Sequence, residues 1–494
     1  MEPGRLRPGH WQETLERRAA RRAGLQRHRA FRRWLVDCDA ARRFDGMRVQ
    51  VRKDGTRIRR GENGTLESRN RVNAKTRGNA MKRQFAQITT VWGCVFMAMN
   101  AGTKAAISST TSSCVREVSV VSFKDPKGRA MSALRLVDQT GAEGCWVGDF
   151  LRGMDQPEGQ AGLDKIKRLD AAHPEAAWDE MGRRGLHTPL GRAADIAVWD
   201  LHGRRLGKPV GALLGPAKRD KVKFYMANFP DMTAAQNAQA IKEAQERKVL
   251  GFKIYTYFPR PHDLRDPESP EAAKYVESDI QLARALREAA PEGVKLMFFN
   301  GNSYNLNQAL KVGAVLDELR YDLFCDPMPV KGDAGMAAYR QLREKIKTPI
   351  CSPLNGGSLE DHIAWIESGA TDMGETDLYA GFTTCLRFIR ECAKRGVALD
   401  LHAGFPMDLY HFPLYGFVDD ATLPWIGWHG RSLKAIPAAT EFKGAEVKPP
   451  KQPWLKRSQT RPVDAEGYVH IVYEIPGMGL EPDWEWIRQN EIKK

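Results

Sequence analysis

Three consecutive stretches decide the fold: Val222-Lys223-Phe224-Tyr225-Met226-Ala227-Asn228, the segment near 233–248, and Gly251-Phe252-Lys253-Ile254-Tyr255-Thr256-Tyr257. The first and third are short runs rich in aromatic and β-branched residues, as buried strands are. The middle one repeats its apolar residues at helical spacing. Strand, helix and strand in immediate succession make a parallel βαβ unit. The alternation continues through strand-like runs at Val294–Phe299, Leu323–Cys325, Pro349–Ser352, Asp372–Leu378 and Val397–His402. Amphipathic segments near 270–290, 306–319, 335–346, 358–369 and 382–395 separate and follow them. Seven such strands predict an α/β fold closed into a (β/α) TIM-like barrel. In such barrels chemistry sits where strands end and loops begin, so the strand-end residues are the candidates.

Upstream, the pattern changes. Val115–Phe123, Arg129–Val137 and a run starting at Gly144 read as strands, the second closed by the turn Asp138-Gln139-Thr140-Gly141. Strands separated by glycine turns form an antiparallel meander. Residues 160–215 are then helical in pattern. Eight cysteines are scattered with no Cys-x-x-Cys pair, so zinc-finger spacing is absent. No P-loop, Gly-x-Gly-x-x-Gly or Gly-x-Ser-x-Gly string is present. His362 stands alone on its segment and reads as a packed or solvated side chain.

The string Ala193-Ala194-Asp195-Ile196-Ala197-Val198-Trp199-Asp200-Leu201-His202-Gly203, with Leu206-Gly207-Lys208-Pro209-Val210 and Leu213-Leu214-Gly215, resembles the mandelate racemase and muconate lactonizing enzymes of the enolase superfamily. There it is the capping-domain helix and the linker into the barrel. Gly467-Tyr468-Val469-His470 and Pro476-Gly477-Met478-Gly479-Leu480 resemble the family's return to its capping domain. The resemblance covers about 114–494. It implies an enolase-like arrangement: an α+β N-terminal capping domain over 114–221, the barrel over 222–435, and a C-terminal return over 436–494.

The resemblance also implies a chemistry. A base removes the proton α to the carboxylate of a hydroxy acid or sugar acid, leading to dehydration or to racemisation or epimerisation, and Mg²⁺ stabilises the enediolate. The acid/base positions fall on Lys253, in Gly251-Phe252-Lys253-Ile254-Tyr255, and on His402, with Asp377 as the orienting carboxylate of a His–Asp dyad. Lys253 could equally be a strand-end surface lysine, and Asp377 a cap of the following helix. Tyr255 occupies the second position of the family's Lys-x-Lys and, with Asn302, is expected to bind substrate. The 251–261 stretch, through Phe258-Pro259-Arg260-Pro261, resembles acid-sugar dehydratases more than cycloisomerases. The three metal-ligand positions depart from the family pattern: they fall on Asn300, Cys325 and Leu354. A substitute set of Asn300, Asp326 and Asn355 would carry one negative charge, and a single-residue step along a strand reverses the facing of Asp326 and Asn355. Cys is a soft ligand ill matched to Mg²⁺. Two functions therefore stand: an enzyme acting on a small carboxylate or sugar acid, or an inactive homologue that lost its Mg-binding carboxylates and serves as a binding or structural module. The resemblance further implies a homo-oligomer.

The formal net charge of +15 is concentrated at one end. Residues 1–80 hold 22 Lys and Arg against 9 Asp and Glu, and the remainder is close to neutral. The extension contains no recognisable nucleic-acid-binding module and reads as disordered or untranslated. From Met81 the chain shows Lys82-Arg83, an apolar run and small residues to Ala106, which resembles a signal peptide and is too short for a stable membrane span. If translation starts at Met81 the protein is expected to be exported or periplasmic, otherwise cytoplasmic. A short buried helix is the alternative for 81–106.

Overall fold

A computed structural model describes residues 113–493, apart from 150, 152–153, 155, 229–232, 247, 257–269, 330–331, 352–356, 403–409, 429–451, 459–463 and 465. The basic extension, the signal-like segment, Leu354, Asn355 and Phe258-Pro259-Arg260-Pro261 lie outside the described residues.

Strands β1 (Val115–Lys124), β2 (Ala130–Asp138) and β3 (Glu143–Gly148) form an antiparallel sheet in the order β1-β2-β3. The Asp138 carboxylate closes the β2–β3 turn, accepting hydrogen bonds from the Thr140 and Ala142 amides at 2.8 and 3.0 Å. Helices α1 (Pro157–Ile166), α2 (Pro174–Arg183) and α3 (Pro189–Arg205) follow. Helix α3 begins at an N-cap, Thr188, whose side chain accepts from the Gly191 amide. It is buried on nearly every face, which explains why its sequence lacks a single apolar stripe. Its two acids are both satisfied. Asp200 accepts from the amides of Cys145 (2.9 Å) and Met478 (2.8 Å), and Asp195 from the amide and hydroxyl of Thr383 (2.8 and 2.6 Å). Gly203 lets the C-terminal tail approach, because a Cβ there would stand 2.7 Å from the Gly477 Cα. The two most diagnostic strings of the sequence thus touch one another.

The barrel strands are β4 (Lys221–Asn228), β5 (Gly251–Tyr255), β6 (Lys295–Phe299), β7 (Leu323–Cys325), β8 (Gly374–Thr376), β9 (Leu399–Leu401) and β10 (Trp425–Trp428). They pair in parallel as β10-β4-β5-β6-β7 and as β8-β9. Single bridges, Phe324 to Ile350 and Cys351 to Met373, join the two runs. The Leu399 amide donates to the Thr422 carbonyl as the chain approaches β10. The sequence reading stopped at seven strands. Trp425–Trp428 is an additional one, too far beyond the last helical segment to stand out by pattern. The run at Pro349–Ser352 contributes only the two bridges. Helices α4 (Ala234–Gln245), α5 (Pro270–Ala289), α6 (Leu306–Glu318), α7 (Gly332–Lys345), α8 (Leu359–Glu367) and α9 (Phe382–Arg395) lie between the strands in the chain.

Period-two alternation sorts the barrel side chains. Phe224, Phe252, Ile254, Phe298, Phe324 and Leu401 belong to the large core that includes the surrounding helices. Tyr225, Met297, Phe299, Leu323, Cys325 and Cys351 form a separate buried cluster, with Tyr255, Met373 and Trp425 against it. That second cluster is the barrel interior. Among the described residues no helix is long and apolar enough to cross a membrane.

Candidate active site

Lys253 is placed on β5 by Gly251-Phe252-Lys253-Ile254-Tyr255, whose alternation sends Phe252 and Ile254 outward and Lys253 and Tyr255 inward. The Lys253 ammonium is fully buried. It donates to Asp400 Oδ2 at 2.9 Å and to Glu375 Oε1 at 3.2 Å. Tyr225 completes the group, its hydroxyl donating to the Asp400 carboxylate at 3.0 Å. The Nζ also lies 5.1 Å from the centre of the Phe299 ring. Burial by itself would lower the lysine pKa. Asp400, with Cys325, Glu375 and Tyr225, outweighs it and holds the amine well above its ordinary value. Burial pushes the Glu375 carboxyl up, against the pull of Lys253. The sequence marks Lys253 as a base. The structure gives a fully buried ammonium paired with two carboxylates, whereas a lysine base needs its pKa lowered.

Tyr255 and His402 stand at the carboxyl ends of their strands. The Tyr255 hydroxyl is 3.1 Å from His402 Nε2. Burial pushes the Tyr255 phenol up, so it keeps its proton near neutrality and can donate it to Nε2. Phe299 supports both, lying parallel to the His402 ring at 6.0 Å and 4.5 Å from the Tyr255 ring. Both side chains of the pair are half-buried.

The expected Asp377–His402 dyad is not what the hydrogen bonds of Asp377 describe. Asp377 caps the short 3-10 turn Leu378–Ala380, accepting from the Tyr379 amide at 2.8 Å. Burial raises its pKa to about 7 despite that bond. This is the capping alternative that the sequence left open. His362, on α8, is a packed side chain: it is buried, its ring is 4.9 Å from Phe388, and burial lowers its pKa to about 4.

Among the described residues, Asn300, Cys325 and Asp326 do not assemble a hard-cation site. Asn300 is fully buried, and its Oδ1 already accepts from the Ser303 amide at 2.8 Å. Cys325 lies in the interior cluster beside Cys351. Asp326 follows at φ 45°, and its charge bears on Tyr339 of α7. Asn302 sits at φ 62° with its Oδ1 buried and without a hydrogen-bond partner, and its amide donates to the Asp326 carbonyl. Among the described residues no group of three or more His, Cys, Asp or Glu is placed to hold a metal ion. One committed amide, one thiol and one carboxylate are a poor donor set for Mg²⁺, which needs several oxygen ligands in near-octahedral order.

Glu375, Asp400 and Tyr225 were missed in the sequence. A signal was present: Glu375 and Asp400 stand two residues before Asp377 and His402, the spacing that keeps side chains on one face of a strand.

Comparison with known proteins now bears on this arrangement. The family model described as enolase C-terminal domain-like matches residues 236–486, half of the chain. The chain belongs to that family. Arabinonate dehydratase of Saccharolobus solfataricus is 26% identical over 216 residues, 41% of this chain and 52% of the relative. L-Talarate/galactarate dehydratase of Salmonella typhimurium is 25% identical over 262 residues, 49% of this chain and 61% of the relative. The matches therefore span little more than half the length of these curated relatives. Among solved structures, D-glucarate dehydratase from Agrobacterium tumefaciens, complexed with magnesium, superposes with a TM-score of 0.61 at 22% identity, covering 77% of this chain and all of that one. A mandelate racemase/muconate lactonizing protein from Paracoccus denitrificans, also complexed with magnesium, gives 0.59 at 18% identity over 77% of this chain and 98% of that one. These neighbours share the enolase-like barrel and capping fold; the magnesium is theirs.

Proposed function

We propose that the protein acts on a hydroxy acid or sugar acid by removing the proton α to its carboxylate, with dehydration as the overall reaction and epimerisation as the variant outcome. The observation that carries this reading is the Tyr255–His402 contact at the strand ends, 3.1 Å between a phenol kept protonated and an imidazole nitrogen. Sugar-acid dehydratases among the relatives support the substrate class. A substrate entering this pair would meet a base and an acid together. His402 Nε2 takes the α-proton, the β-hydroxyl departs with the Tyr255 proton as water, and the resulting enol becomes the 2-keto-3-deoxy acid. Asn302, with its unpartnered Oδ1, is available to a substrate hydroxyl. No step is assigned to Lys253, Asp377 or a metal ion.

The test is a panel of aldonic and aldaric acids assayed for 2-keto-3-deoxy product and, in D2O, for exchange of the α-proton by NMR. Turnover or exchange that is lost in His402→Asn supports the reading. Absence of both with every acid sinks it. The donor set at Asn300 and Cys325 favours a second reading, a non-catalytic sugar-acid binder. Saturable binding with no α-proton exchange would identify that case.

A further inference from the structure

The buried ion cluster and the Tyr255–His402 pair are two rungs of one ladder. Lys253 and Tyr255 are two residues apart on β5, and Asp400 and His402 are two apart on β9 and its end. That spacing brings all four to the barrel interior. Strand β5 pairs with β4 and β6, whereas β9 pairs with β8, so the two strands are not sheet neighbours. Both contacts therefore bridge the interior, Lys253–Asp400 at 2.9 Å and Tyr255–His402 at 3.1 Å.

The rungs differ in stiffness. The upper one joins two half-buried rings through an uncharged hydrogen-bond contact. The lower one sets an ammonium between two carboxylates, with a tyrosine hydroxyl on one of them, in surroundings closed to water. Charge-assisted bonds in a low-dielectric interior are the stronger and the less tolerant of displacement. Breaking one leaves an uncompensated charge, so the lower rung dictates the distance between the two strands.

We infer that Lys253, with Asp400 and Glu375, is a positioning residue: the buried cluster holds the ends of β5 and β9 at the separation where Tyr255 and His402 meet. Lys253 itself exchanges no proton with substrate. The catalytic meaning of this inference rests on the α-proton reading above, but its geometric part does not.

The experiment uses the full-length protein labelled with nitrogen-15 at histidine, the His402 signals being assigned by their loss in His402→Gln. Tyr255→Phe supplies the Nε2 shift of a broken upper rung. The variant Lys253→Met/Glu375→Gln/Asp400→Asn removes the charges together and keeps side-chain shape, which avoids stranding a buried ion. In the folded triple variant the Nε2 signal is expected to move to the Tyr255→Phe position. On any acid that the wild type turns over, kcat should fall on the order of 100-fold with KM little changed. A folded triple variant with the wild-type Nε2 signal overturns the inference. Should the triple variant not fold, Asp400→Asn alone decides: Lys253 keeps Glu375 there, and a shift toward the Tyr255→Phe value supports the inference while an unmoved signal overturns it. Failure of the wild type to turn over any acid removes the α-proton reading but leaves the nitrogen-15 result decisive for the ladder.

Discussion

The two halves of the barrel's inner wall have diverged. The half formed by β8, β9, β4 and β5 carries Glu375, Asp400, Tyr225 and Lys253 in one hydrogen-bonded group. The half formed by β6, β7 and the Cys351 bridge carries Met297, Phe299, Leu323, Cys325 and Cys351. The second half is where the family resemblance looks for metal-binding carboxylates. The difference follows from what a buried charge requires. Carboxylates gathered without a cation repel one another and forgo their hydration. Those that remain described inside this barrel are the two that Lys253 compensates. The apolar, sulfur-rich wall carries no such charges among the described residues.

Removing the compensating cation should have the largest effect. Lys253→Met strands Asp400 and Glu375 and is expected to destabilise the protein by ~3–5 kcal/mol in chemical denaturation. A change within about 1 kcal/mol, the range of exposed ion pairs, would erase the contrast between the halves.

A pH effect of a few kcal/mol at most should follow from Asp377, whose carboxyl burial raises from 3.8 to about 7. The folded state then binds the extra proton between those values. Its contribution is complete below about pH 4, declines as pH rises to about 7, and is flat above. Stability measured across that range should fall less steeply in Asp377→Asn. An unchanged slope would return Asp377 to the ionised, His402-orienting role expected from the family.

Charging the apolar wall should sharpen the comparison. Asn300→Asp/Cys325→Glu/Leu354→Glu is expected to acquire Mg²⁺ binding by calorimetry, with stabilisation of ~2.7 kcal/mol at a hundredfold excess over Kd. The unmodified protein should show neither. Heat of binding in the unmodified protein would mean that the wall is rebuilt by other ligands.

The smallest effect concerns the segment after β6. Asn305 caps α6 with a reciprocal bond to Gln308. Asn305→Ala should lower stability by ~1 kcal/mol without altering the ion cluster, read by thermal unfolding. A larger loss would tie the Asn300–Ser303 turn to the integrity of the whole wall.

Strand and helix order, the meander, and the Ala193–Gly203 and Pro476–Leu480 strings were legible from residue order, because alternation, helical spacing and glycine placement are local properties of the chain. The Trp425–Trp428 strand was not, since no amphipathic helical segment between it and His402 marks a further βαβ unit. The role of each site residue was not legible either. Lys253 reads alike whether it faces solvent or a counter-ion 147 positions away. Asp377 reads alike as a partner of His402 or as a cap. Only the closing of the barrel brings β5 opposite β9, and that encounter pairs Lys253 with Asp400 and Tyr255 with His402. Charge compensation and proton transfer act through space at a few ångströms, whereas sequence patterns report only the neighbours along the chain.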